Sequence, residues 1–491
     1  MKELSSALRK TRCHISRRAP APPLLHRLYR AAVHCLRRWP IPATAPTKNK
    51  KTKVNHPKRI GYFIWQYPVL SQTFVQRELA ALTHSGLSVF VVSDIPSDDA
   101  FPNESLGASS PSAECLHFMD ENTAHRYKRY FFFRSPLLCV RLFLYLLGHD
   151  YHGNKNFGFD KILFSKAVCL AGLMKENGIT HIHSPWADNC ALIALLASRL
   201  LRIPYSVQAR AHDIHRRTYL CGLAEKLDNA DFIITNTQYN ASYIKALMGA
   251  KTAEKLHVIY NGLRLGQFSP QQEEKISPVP RILSVARLIE QKGLIYLLKA
   301  CKILRNRGCS FTCEIIGGPE SPLFMNYYVA LKKLHRKLQL EECVFFLGTQ
   351  RFEQVLEKYR EADIFILPSV IAEDGSRDIT PNVLIEAMAM KLPVISTTVT
   401  GIPEIVENEV SGILVPANDE NALADAIIKL IHDSNLRKQL GENARKRIEE
   451  RFDSNKNIGQ YIHLFSGRSK FDRSSFPWAT GVTGVKSENC S

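Results

Sequence analysis

The chain has 491 residues, more than the ~250–300 that a single hydrophobic core organises, so at least two domains are expected. A composition of 45% hydrophobic and 23% charged residues excludes both wholesale disorder and a polytopic membrane protein. The net charge of +19 sits at one end: residues 1–59 carry 16 Lys and Arg against Glu3, and the other 432 residues are at only +4, so the basic balance does not indicate a nucleic-acid partner.

In chain order, residues 1–57 form a basic extension and linker. Within it Leu24, Leu28, Ala32, Cys35 or Leu36 and Trp39 recur at helical spacing, with Arg27, Arg30, His34, Arg37 and Arg38 around much of the remaining circumference. A basic amphipathic helix of this kind suits an anionic membrane surface. A solvated basic tail and an Arg-rich, acid-poor organellar presequence share the pattern. No secretory signal is expected, because no apolar stretch with a small-residue cleavage site is present. The longest apolar run, 130–147, is interrupted by Arg134, Pro136 and Arg141 and falls short of a membrane span.

From residue 58 onward, short β-rich runs alternate with amphipathic helical patterns. Strands are expected at 59–65, 87–93, 181–184, 204–209, 231–237 and 256–261, then at 281–286, 313–317, 344–348, 363–368, 393–398 and 412–416. Helices are expected at 71–86, with Thr73 and Gln76 as a capping box, and at 419–433, capped by Asn418 or Asp419. Continuous apolar strands alternating with helices indicate parallel sheets covered on both faces. The polar, Pro-bearing stretch 269–280 breaks the series. The expected architecture is therefore α/β, with two Rossmann-like, doubly wound domains facing across a cleft. They occupy 58–272 and 278–453, followed by a C-terminal segment and flexible tail at 454–491, and 96–114 reads as a loop. The twelve cysteines show no CxxC pair and read as reduced thiols of a cytosolic protein, with no zinc site.

Open parallel sheets bind ligands outside the carboxyl ends of their strands. After the expected strand 363–368, Thr380 fits an N-cap and Pro381 a first helical position, with Asn382 and Val383 following; such a helix start binds phosphate. Asp378 and Glu386 flank that start and suit hydroxyl groups of a sugar or ribose; the bland reading is a cap and a lysine pair. Arg287 and Lys292, after 281–286, can neutralise a diphosphate or form an ordinary loop pair. Gly317 and Gly318 permit close approach of a ligand to the backbone. No D-x-D pair that would hold a metal on a diphosphate is present, so no metal or other cofactor is expected. In the first half, His212 follows 204–209, where it can meet a substrate hydroxyl, with a metal role alongside His215 as a weaker alternative. His181 and His183 share one face of a strand and read as packing residues. Ser71, Gln72 and Thr73 lie in a loop facing the cleft.

Taken together, EDGSRDITPNVLIEAMAMKLPVISTTVTGIPEIVENEVSGILVP, ILSVARLIEQKGL, VIYNGLRLGQFSP and YPVLSQTFVQREL resemble family-4 retaining glycosyltransferases, nearest to those of bacterial colanic acid and exopolysaccharide biosynthesis. The resemblance covers about residues 60–453. It implies the GT-B fold, a UDP- or GDP-linked sugar held mainly by the second domain and a glycan acceptor on the first. It also implies that Asp378 contacts the donor sugar, Glu386 the ribose, Arg287 and Lys292 the leaving diphosphate, and His212 the donor sugar. The segment 67–74 would lie on the acceptor side. Two positions depart from the family pattern: Asp378 is shorter than the usual Glu, and Ile379 stands where Gly is common. The leading expectation is transfer of a hexose to a polyprenyl-diphosphate-linked oligosaccharide at the cytoplasmic face of the membrane. A soluble acceptor, epimerisation of the sugar nucleotide and an inactive sugar-nucleotide-binding protein are the alternatives.

Overall fold

The computed structural model describes residues 59–67, 73–95, 116–118, 121–149, 157–215, 222–270, 279–319 and 325–466. The basic helix expected at 24–39, the linker, Ser71, Gln72, the loop at 96–114 and the tail from 467 lie outside the described residues, as does most of the boundary segment 269–280.

The first domain is built on β1 (Arg59–Gln66), β2 (Ser88–Ile95), β3 (Leu116–Phe118), β4 (His181–Ser184), β5 (Tyr205–Gln208), β6 (Ile233–Thr235) and β7 (Leu256–Val258). They pair in parallel in the order β3-β2-β1-β4-β5-β6-β7. Its main helices are α1 (Thr73–His84), α2 (Glu121–Arg134), α3 (Pro136–Gly148), α4 (Phe157–Glu176), α5 (Asn189–Leu201) and α6 (Gln238–Met248). The unanticipated β3 is three residues long and lies at the sheet edge, too short for an apolar period to mark it.

The second domain carries β8 (Arg281–Val285), β9 (Thr312–Ile316), β10 (Val344–Gly348), β11 (Ile364–Leu367), β12 (Val394–Thr397) and β13 (Ile413–Val415), parallel in the order β10-β9-β8-β11-β12-β13. Its helices are α7 (Leu294–Asn306), α8 (Met325–Lys337), α9 (Phe352–Glu361), α10 (Asn382–Ala389), α11 (Glu420–His432) and α12 (Ser434–Arg451). Asp419 caps α11 by accepting from the Asn421 and Ala422 amides. In both sheets the strand order reverses beside the first strand, between β1 and β4 and between β8 and β11. Those are the switch points at which doubly wound sheets open a crevice.

The chain does not end in the second domain. Helix α13 (Ser454–Ser466) returns to the first, where Tyr461 and Phe465 are buried with Tyr62, Ile64 and Phe232. The Leu263 amide donates to Phe452 O at 2.7 Å, and Ser454 N donates to Leu263 O at 3.0 Å, so the two interdomain crossings run side by side. Only a glycine fits beside them: a Cβ on Gly262 would lie 2.5 Å from Ser454 Cα. The Phe465 ring closes a cluster with Tyr62, His181, His183 and Phe232. Each of the two histidines places a ring nitrogen 2.7 Å from Ser206 Oγ, and burial holds the His183 pKa well below the ordinary value. Both are packing residues, as their shared face suggests. None of the seven described cysteines is in a disulfide.

Because α13 completes the first core from the far end of the chain, Phe465→Ala should destabilise the first domain by about 3–5 kcal/mol, the usual cost of deleting a buried aromatic side chain. Urea unfolding followed through a first-domain tryptophan should show it as an earlier transition. An unchanged midpoint would contradict this role for the helix.

Candidate active site

At the second domain's switch point, the loops leaving β8 and β11 are in backbone contact. Gly293 has φ of 66°, and a Cβ there would fall 1.8 Å from Pro368 O, so the two loops can meet only through a glycine. That closeness sets Lys292 against Asp378, both buried. Asp378 Oδ1 accepts from Lys292 Nζ at 2.7 Å and from Gln291 Nε2 at 3.4 Å, while Oδ2 accepts from Ser369 Oγ at 2.6 Å. The sequence suggested separate ligand contacts for Lys292 and Asp378; in the structure they form one ion pair.

Arg287, half-buried, follows β8 and adjoins the Gly317–Gly318 loop, where Leu288 N donates to Gly318 O at 3.1 Å. The space beside Gly317 is already used by protein. Its φ is 138°, and a Cβ would lie 1.8 Å from Ala286 O, so this glycine serves the packing of β8 against β9. At Gly318 a Cβ would meet Thr349 Oγ1 at 2.7 Å.

The helix start is displaced by one residue from its expected position. Pro381, not Thr380, occupies the cap of α10, and no side chain caps it. The reason is that Thr380 Oγ is engaged elsewhere: it accepts from Asn236 Nδ2 at 2.6 Å and Asn261 Nδ2 at 3.1 Å, both from the first domain. Asn382 and Val383, partly exposed, open the helix and carry its partial positive charge. Glu386, the fifth residue of α10, is buried. Its Oε1 accepts from Arg77 NH2 at 3.0 Å across the cleft, and its Oε2 from Tyr359 OH at 3.3 Å. Burial, then the Glu386 charge, pushes the Tyr359 pKa well up, so its hydroxyl stays a donor. The expected carboxylate–cation alternative for Glu386 is thus realised with an arginine of the other domain.

Behind Arg77 on α1, Glu78 gathers a buried network. Its Oε1 accepts from Tyr62 OH at 2.8 Å and Gln208 Nε2 at 2.6 Å, and its Oε2 from Arg210 NH2 at 2.6 Å. Arg210 NH1 donates to Asn261 Oδ1 at 2.8 Å, which leads through Thr380 to α10. A further contact joins the domains at Glu404, which accepts from the Gln238 and Tyr239 amides at the start of α6, each at 2.7 Å, and from Tyr260 OH at 2.9 Å.

Among the first-domain candidates, His212 opens the short helix His212–His215 after β5, and Thr73 opens α1; their side chains lie outside the described residues. His215 is within 2.8 Å of Asn240 Oδ1, a structural contact. Among the described residues, no three His, Cys, Asp or Glu side chains gather where they could hold a metal ion. Sequence reasoning missed Arg77, Glu78, Arg210, Asn261 and Glu404. A signal existed for the first two: consecutive opposite charges interrupt the apolar stripe of Val75, Leu79 and Leu82. It also missed Trp65, 46% exposed near the end of β1, with Lys166 Nζ 4.8 Å from its ring centroid and Asp94 of β2 bound to the same lysine.

Residues 267–447 match the family described as glycosyl transferases group 1. WcaL of Escherichia coli (strain K12), a glycosyltransferase named for colanic acid biosynthesis, is 37% identical over 409 residues, 80% of this chain and 96% of that protein. The amylovoran biosynthesis glycosyltransferase AmsK of Erwinia amylovora is 40% identical over 178 residues, covering 36% of this chain and 42% of AmsK. Among solved structures, Anabaena Alr3699/HepE in complex with UDP and glucose superposes with a TM-score of 0.61 at 19% identity, over 83% of this chain and 99% of that one.

The Lys292–Asp378 pair generates a stability prediction that needs no ligand. Lys292→Met alone strands a buried carboxylate and should cost about 3–5 kcal/mol, whereas adding Asp378→Leu should recover most of it. Urea denaturation of the two variants measures this. Additive losses would mean that the two groups are not coupled.

Proposed function

The chain belongs to the group 1 glycosyl transferases and has the two-domain GT-B fold, and on that premise we propose that it transfers a hexose from a nucleoside-diphosphate sugar to a lipid-linked oligosaccharide in exopolysaccharide or lipopolysaccharide biosynthesis, with retention of anomeric configuration. The observation that carries this reading is that Lys292, Asp378, the uncapped start of α10 and Glu386 lie around the second switch point, with Arg287 following β8 there and Glu386 reaching Arg77 of the first domain. That combination offers cations and helix amides to a diphosphate and carboxylates to hydroxyl groups.

In this reading the donor, UDP- or GDP-linked, lies along α10, with its ribose hydroxyls donating to Glu386. Because Arg77 already occupies one Glu386 oxygen, the ribose either shares that carboxylate or displaces the arginine. As the bond between the anomeric carbon and the diphosphate oxygen breaks, negative charge grows on the leaving group. Arg287, Lys292 and the amides at Asn382 and Val383 stabilise it where it forms. The acceptor hydroxyl attacks from the face the diphosphate leaves, and its proton passes to a departing phosphate oxygen. Asp378 positions Lys292 and orients the sugar, and no metal or other cofactor takes part. The acceptor enters along the carboxyl ends of the first sheet, past Ser71, Gln72, Thr73 and His212. Names of the relatives support an exopolysaccharide product, and the basic segment 24–39 supports attachment to the inner face of the cytoplasmic membrane.

A panel of UDP-, GDP- and ADP-sugars with lipid-linked acceptor should give incorporation from one donor. Glu386→Gln should lower kcat/KM about 10–100-fold, the loss of a hydrogen bond to a charged group worth roughly 1.5–3 kcal/mol. Nuclear magnetic resonance of the product should show the donor's anomeric configuration. Inversion would remove the retaining step from the proposal. Donor binding without transfer to any competent acceptor would favour an inactive sugar-nucleotide-binding protein, testable by restoring Asp378→Glu with Ile379→Gly.

A further inference from the structure

Helices α2 and α3 meet at Ser135 with their axes bent by 114°. Pro136 at the first position of α3 makes the break, since it has no amide to continue the α2 ladder. The corner points outward. Phe133 is 84% and Leu137 80% exposed, the most exposed large apolar side chains among the described residues. Tyr130, Phe132 and Val140 beside them are also exposed, as are Phe157 and Ile162 at the start of α4. Ring contacts make this one surface: Phe132 packs on Phe164, Phe164 on Phe143, and Phe143 on Phe157, with centroids 6.3, 5.3 and 6.2 Å apart.

The same corner is basic. Residues 125–148 contain Arg126, Lys128, Arg129, Arg134 and Arg141 and no Asp or Glu. Arg126 reaches Glu176 at the far end of α4, but Arg129, Arg134 and Arg141 are exposed around the apolar tip. Its place in the fold is also informative. Helix α4 ends near the start of β1, where Arg59 NH1 donates to Asn177 O at 2.7 Å. Earlier in α4, Lys166 lies over Trp65 at the carboxyl end of β1. The helix therefore begins at the carboxyl rim of the first sheet, and the Phe133–Leu137 corner sits on that rim.

An apolar tip ringed by arginines is complementary to a surface with anionic groups above hydrocarbon. It is a poor seat for a second copy of the corner, or for residues 1–59 with their net charge of +15, because both would set like charges together. We propose that the α2–α3 corner is a bilayer-docking surface, with Phe133 and Leu137 entering the acyl-chain boundary and Arg129, Arg134 and Arg141 at the phosphate level. Neither helix alone is long and apolar enough to cross a membrane. Docking there turns the carboxyl rim of the first domain toward the bilayer, so that a lipid-anchored acceptor reaches the cleft without leaving the membrane. This last consequence rests on the acceptor proposed above; the docking itself does not.

The test uses the full chain with phosphatidylcholine vesicles, with and without phosphatidylglycerol. Wild type should float with the anionic vesicles, and amide hydrogen exchange across 129–141 should slow when they are added. Phe133→Ser with Leu137→Ser should cut the bound fraction about tenfold or more at limiting lipid and abolish that protection, with the circular dichroism spectrum unchanged. A second variant, Arg27, Arg30, Arg37 and Arg38 all →Gln, should keep the protection at 129–141 even if total binding falls. Equal flotation of the corner variant, no protection at 129–141, or equal protection by neutral vesicles would each overturn the proposal. Transfer to a short water-soluble glycan separates the two proposals. Activity without docking sinks only the membrane surface, and docking without activity on any acceptor sinks only the transferase reading.

Discussion

Everything at the interface of the two domains follows from the cost of burying charge. A carboxylate removed from water costs several kcal/mol unless a cation or several donors meet it. Three carboxylates at this interface, Glu78, Asp378 and Glu386, are buried, and each is met. Asp378 takes Lys292 from its own domain, Glu386 takes Arg77 from the other, and Glu78 takes Arg210 within the first. Satisfying Glu386 therefore fixes how the first domain sits on the second, and the chain Glu78–Arg210–Asn261–Thr380 repeats that constraint, crossing between the domains at the neutral Asn261 and Thr380.

This has a chemical consequence for the cleft. One of the groups proposed for the donor, Glu386, also holds the two domains together through Arg77, whereas Lys292 and Asp378 pair within the second domain. In the proposed reading, a donor hydroxyl at Glu386 would meet the cross-domain ion pair with Arg77, and a diphosphate at Lys292 would compete with Asp378, so that binding and domain position would be linked by shared atoms. Glu404 at the start of α6 and the return of α13 to the first core tether the two domains at points apart from the Glu386–Arg77 and Lys292–Asp378 pairs.

The first domain carries a second arrangement on its outer rim. Pro136 breaks α2 from α3 at a corner that leaves aromatic side chains outside among arginines. In the proposed reading, their position at the carboxyl end of the sheet would let membrane attachment and acceptor delivery draw on one piece of structure.

Strand positions, the two-domain division and the helix following residue 380 were legible from the sequence, because they depend on local periodicity: apolar runs, amphipathic spacing and a proline at a helix start. The places of Arg287, Lys292, Asp378 and Glu386 in the fold were legible for the same reason, since they sit at strand ends or on one helix. What each of them touches was not. Glu386 meets Arg77 across 309 residues, Gly317 makes room for Ala286 O, and Thr380 gives up its cap to Asn236 and Asn261. Nor did the sequence reveal that Tyr461 and Phe465 complete the first core. The sequence by itself determined the elements and the residue types at their ends, because backbone and patterning preferences act over a few residues. Only the tertiary structure decided the partners, because pairing a buried charge depends on distances in space that the spacing along the chain does not contain.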